Sequence, residues 1–94
     1  LTRSDSGVAS WFKTTEGTCA HRVLPLGTMV KVTRVFNGAS ATSRVADRGP
    51  TVETGRLIDL SHDTFEKLAD LEVGLIDVTI EWSRAEPSSS AARP

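Results

Sequence analysis

The sequence predicts a mainly β domain closed into a small barrel, and three observations carry that prediction. "LIDVTIEW" (75–82) alternates strictly, with Ile76, Val78, Ile80 and Trp82 on one face and Asp77, Thr79 and Glu81 on the other. Asn37-Gly38, the strongest short hairpin signal, joins the strand-like "TMVKVTRVF" (28–36) to "ASATSRVA" (39–46). Only one segment has a helical period, so the βαβ rhythm of a parallel sheet is missing. Five or six short strands in 94 residues would leave open edges that so small a chain cannot cover, and closure removes them.

Taken in order, "LTRSDS" (1–6) is a polar segment without signal-peptide character and reads as flexible chain ahead of the domain. "GVASWFK" (7–13) and "RLIDL" (56–60) are two further strands. The spacing of Phe65, Leu68, Ala69 and Glu72 predicts one helix over about 61–72. Ser61 is its cap, Asp63 sits in its first turn and Gly74 lies past its end. The folded unit is then 7–83, and "RAEPSSSAARP" (84–94) reads as a tail or linker.

Apolar residues at 38% and charged residues at 24% suit a globular fold. A net charge of −1 argues against nucleic acid as a partner, and no apolar run is long enough for a membrane-spanning segment. The single cysteine, Cys19, cannot form an internal disulfide. A metal site at Cys19-x-His21 would lack ligands, because His62 is the only other histidine; no metal and no cofactor are expected, and a monomer is.

Candidate chemistry gathers in two stretches. In "RVADRGP" (44–50), Asp47 either bonds local amides at a strand end or projects into a cleft as an acid, with Arg48 and Arg56 supplying charge beside it. In "TCAHRVLPLGT" (18–28), His21 is either a satisfied structural group or a site residue. Glu16, in "KTTEGT", is the only acid between Asp5 and Asp47, and Trp11 is an aromatic close by in sequence that could stack on a sugar ring.

Together, "GVASWF", "CAHRVLPLGTMVKVTRVFNG", "SRVADRGP" and "GRLIDLS" resemble, in order, the double-psi β-barrel domain of rare lipoprotein A (RlpA), over about residues 7–82. The resemblance implies a six-stranded barrel with crossed psi loops, a topology that periodicity does not show. It implies an exported bacterial domain acting on peptidoglycan glycan strands as a lytic transglycosylase, leaving 1,6-anhydro ends. By motif, Asp47 takes the place of the family's active-site Asp and His21 of its His, while Arg48 and Asp59 shape the cleft. The chain departs from the family in a shortened segment before the Ala-His pair, where a catalytic Glu usually stands; Glu16 is near that gap but is not the matched residue. Phe12 replaces the usual Tyr, and Ser43 stands where short secreted relatives pair a second Cys with the position of Cys19. The shortened loop keeps a non-catalytic wall-binding module open as an alternative. A protease-inhibitor-like barrel and an expansin-like wall loosener are further readings.

Overall fold

The computed structural model describes residues 2–83. Six strands, β1 (Thr2–Phe12), β2 (Thr18–Ala20), β3 (Met29–Arg34), β4 (Ser40–Asp47), β5 (Arg56–Ser61) and β6 (Ile76–Ser83), close into a barrel in the order β1-β5-β2-β4-β3-β6. The pairs β1–β5 and β2–β4 are parallel and the other four are antiparallel. These directions place the ends of β2 and β4 and the starts of β3 and β5 at one end of the barrel, called here the upper end. The turn after β1 and the β3–β4 hairpin lie at the lower end. No helix among the described residues is long and apolar enough to cross a membrane.

The predicted alternation of β6 holds: Ile76, Val78 and Ile80 are buried against Val30, Val32, Val45, Ile58 and Leu60. Helix α1 (His62–Glu66) follows β5 directly and inserts a fully buried Phe65 into this core. Burying one such ring contributes roughly 1.5–3 kcal/mol.

The structure departs from the sequence reading at five points. Residues 2–6 are not a free segment: β1 begins at Thr2 and pairs with β6 from Thr2↔Ser83 to Ala9↔Ile76. Polar residues on both faces of that ribbon hide it from an apolar-period reading. The helix expected over 61–72 ends at Glu66, because Asp70 turns to extended backbone and a 3₁₀ turn, Leu71–Val73, takes over. Ser61 holds the cap position without a backbone bond; its hydroxyl donates to Asp63 instead. Strand β2 has only three residues, Thr-Cys-Ala, too few to show a period, and all three are buried. The hairpin at Asn37-Gly38 is present, but five residues, 35–39, separate β3 from β4, with Gly38 at a φ of 75°. The expected tail, 84–94, lies outside the described residues.

Gly7 is fixed by packing. A Cβ there would stand 2.8 Å from Leu57 Cβ, where neighbouring strands β1 and β5 meet. Gly7→Ala is therefore expected to cost roughly 1–3 kcal/mol. A lower urea midpoint at unchanged m-value would show it, and an unchanged midpoint would mean that Leu57 yields freely.

Candidate functional site

The barrel's register assembles the site from small and acidic residues. Ser10 pairs with Asp59 across β1–β5, Asp59 with Ala20 across β5–β2, and Ala20 with Asp47 across β2–β4. The last step depends on a bulge. Cys19 opposes Val45, but Ala20 opposes Asp47, so Ala46 is skipped and the Asp is aimed where the Ala would have been. With strands about 4.8 Å apart, the backbones of Asp47 and Asp59 stand about 10 Å apart on either side of the Ala20 methyl.

Two arginines then lock the loops that frame this row. Arg48 Nη1 donates to the carbonyls of His21 (3.2 Å) and Leu24 (2.6 Å). Arg22 Nη1 donates to those of Pro50 (3.0 Å) and Arg56 (2.8 Å). The Asp47 carbonyl accepts from the His21 N–H at 3.1 Å, and Gly49 adopts a φ of 132°, which a side chain would resist. Arg48 is thus turned away from the carboxyl beside it. Asp47 Oδ1 accepts the Arg48 backbone N–H at 2.8 Å, and the side chain is exposed. Among the described residues the one ion pair within 4 Å joins Arg56 Nε to Asp59 Oδ1 at 3.9 Å. Asp59 Oδ1 also accepts the Ser10 hydroxyl.

His21 is 6% exposed, and its Nδ1 accepts the N–H groups of Val23 and Leu24, each at 3.2 Å. That pairing selects the neutral tautomer with the proton on Nε2. Nε2 itself is buried and has no partner among the described residues. Burial first, then the Arg22 and Arg48 charges, hold the imidazole below its ordinary value, with Asp5 opposing. His21 therefore builds the turn at the edge of the site in its uncharged form.

The other expected residues lie elsewhere. Glu16 is in the turn after β1, at the lower end, with the length of β2 between it and Asp47. Its turn is tied down. Gly17 N–H donates to Asp63 Oδ1 (3.2 Å), Gly17 O accepts from Arg44 N–H (2.9 Å), and Thr18 bonds Thr15 O through both N–H and hydroxyl. Trp11 is half-buried, packs on the core and donates its indole N–H to Leu71 O at 2.9 Å, which pins the 3₁₀ turn. The structure brings Asp47, Asp59, His21 and Arg48 together and leaves Glu16 and Trp11 apart. Ser10 and Arg22 join the site unforeseen: each is generic in sequence, and only the strand register reveals it.

The profile of a family described as lytic transglycolase matches residues 4–80. The endolytic peptidoglycan transglycosylase RlpA of Vibrio cholerae is 39% identical over 93 residues, covering 83% of this chain and 35% of that protein. RlpA of Rickettsia bellii is 38% identical over 101 residues, covering 88% and 44%. The chain thus spans less than half the length of these relatives. Among solved structures, a mutant Clavibacter michiganensis expansin in complex with cellohexaose superposes with a TM-score of 0.70 at 21% identity, over 98% of this chain and 54% of that one. The expansin likeness shows a shared barrel fold.

Two pH windows should separate in unfolding experiments. The unfolded chain protonates His21 near 6.5, the folded chain only below it, so its contribution is complete above 6.5 and falls away as pH drops through the lowered value. Asp63 follows at lower pH. Desolvation pushes its carboxyl up, but hydrogen bonds from Ser61, Gly17, Thr64 and its own amide outweigh that and hold it below 3.8. Its contribution is lost as pH falls below 3.8. His21→Gln, which does not titrate, should remove the upper window and leave the lower one, as read from urea midpoints between pH 3 and 8.

Proposed function

The chain belongs to the lytic transglycolase family as an RlpA-like double-psi β-barrel, and from that premise we propose that it cuts peptidoglycan glycan strands outside the cytoplasm. The bond broken joins N-acetylmuramic acid to N-acetylglucosamine. The Asp47 carboxyl gives its proton to the leaving glycosidic oxygen as the C1–O bond breaks. The resulting carboxylate then takes the proton of the muramyl 6-hydroxyl as that oxygen closes on C1, which leaves a 1,6-anhydro end and consumes no water. One carboxyl serving twice relaxes the two-carboxylate spacing of hydrolytic glycosidases.

One observation carries this reading: Arg48, the residue beside Asp47, spends its guanidinium on the His21 and Leu24 carbonyls. The exposed carboxyl stays free to face a glycan, and the same two bonds hold the turn that borders it. Asp59, fixed by Ser10 and flanked by Arg56, forms the opposite side of the row. His21 and Arg48 shape the cleft. The fixed position of Glu16 favours a second reading, a wall-binding module that holds glycan without cutting it.

Incubation with peptide-free glycan strands decides between the two. Release of anhydromuramyl products, reduced about 10²-fold or more by Asp47→Asn and by less than twofold by Glu16→Gln, is the expected outcome. Co-sedimentation with insoluble peptidoglycan without any released product would establish the binding module and sink the cutting reading.

A further inference from the structure

We propose that Arg56 determines which sugar is cut: its free guanidinium receives the carboxylate of the lactyl arm on O3 of the muramyl ring. That contact seats the muramyl ring, rather than its glucosaminyl neighbour, with C1 at Asp47. The proposal rests on the glycan reading above. Three guanidiniums border the row that carries Asp47 and Asp59, and two are already committed. Arg22 and Arg48 each spend Nη1 on two carbonyls. Arg56 is held only through its backbone, its N–H donating to Thr54 Oγ1 at 3.1 Å and its carbonyl accepting from Arg22. Its Nε is buried without a partner, since Asp59 Oδ1 at 3.9 Å is beyond hydrogen-bond distance and already accepts the Ser10 hydroxyl. The side chain is 35% exposed, and among the described residues its two Nη atoms are neither bonded nor buried.

Position and chemistry point to the same ligand group. Arg56 opens β5 and stands beside Asp59, across the row from Asp47. The backbones of Asp47 and Asp59 are about 10 Å apart, room for one pyranose ring between the side chains. The bond from Arg22 to the Arg56 carbonyl anchors the start of β5, so the guanidinium springs from a fixed point. Muramyl and glucosaminyl rings differ at O3, where the muramyl ring carries a lactyl ether ending in a carboxyl. In a peptide-free strand that carboxyl is ionised and is the charge that repeats along the polymer. A guanidinium fork meets a planar carboxylate with two parallel charge-assisted bonds, whereas a sugar hydroxyl takes only one. In a strand of alternating sugars, a charge read at O3 fixes the register. The ring whose C1 faces the Asp47 carboxyl is then always the muramyl one.

Peptide-free glycan strands, with their lactyl carboxyls left free or capped as methylamides, test the contact in steady-state cutting. On free strands Arg56→Gln is expected to raise KM about tenfold with kcat within about twofold. Arg56→Lys, which keeps the charge and loses the fork, should raise KM about threefold. Capping alone should raise the KM of the unaltered chain about tenfold, and on capped strands Arg56→Gln should then add less than about twofold. The capping comparison needs no variant, so it stands if either variant fails to fold. Where the strands are held uncut, dissociation constants from calorimetry replace KM in the same comparison. Equal values on free and capped strands for the unaltered chain, or an Arg56→Gln defect of one size on both, would overturn the carboxylate contact and leave glycan cutting in place. Absence of any glycan binding or cutting by the unaltered chain overturns both readings.

Discussion

The upper end of the barrel is organised by the three residues of β2. Thr18–Ala20 pairs in parallel with β4 on one side and antiparallel with β5 on the other, and is buried throughout. Such a short strand holds its place only because both neighbours supply ladder bonds, and it transmits that order to everything attached to it. Ala20 is the common partner of Asp47 and Asp59, so the separation of the two carboxyls is a property of the sheet rather than of flexible loops. Sites built on strands hold their geometry more closely than sites built on loops.

Cations at this end work on backbone oxygens. Arg22 and Arg48 between them satisfy four carbonyls, three in the loops at His21, Leu24 and Pro50 and one at Arg56, the first residue of β5. Charge-assisted bonds of this kind are stronger than neutral ones, and buried carbonyls left without a donor are costly. The same arrangement bears on the adjacent acid, since the Arg48 guanidinium is held on two carbonyls and no ion pair within 4 Å joins it to Asp47 among the described residues. Loop rigidity and the availability of Asp47 therefore share a single cause.

The fold was largely legible in the sequence where side chains alternate, as in β6, and where a turn carries its own chemistry, as at Asn37-Gly38. Strand β2 and the first half of β1 were not, for opposite reasons. One is too short for a period, and the other is polar on both faces and stabilised by pairing rather than burial. The site divides in the same way. Asp47, His21, Arg48 and Asp59 sit in motifs whose order along the chain survives folding, so their proximity could be anticipated by resemblance. Glu16 is near His21 in sequence, yet β2 runs between them and carries the two to opposite ends. Proximity along a strand-forming chain is a poor guide whenever the intervening residues cross the barrel.

Cys19 shows what the barrel gains from a serine at position 43. The thiol is unpaired and fully enclosed, and burial raises its pKa despite the Ser43 hydroxyl beside it and the Arg44 charge nearby. Thiolate is the form that oxidants and other disulfides attack, and here it is both disfavoured and out of reach. No covalent staple has to be made within residues 2–83, so this barrel closes without an oxidase. Its conformational integrity is indifferent to the redox state of the compartment where it works.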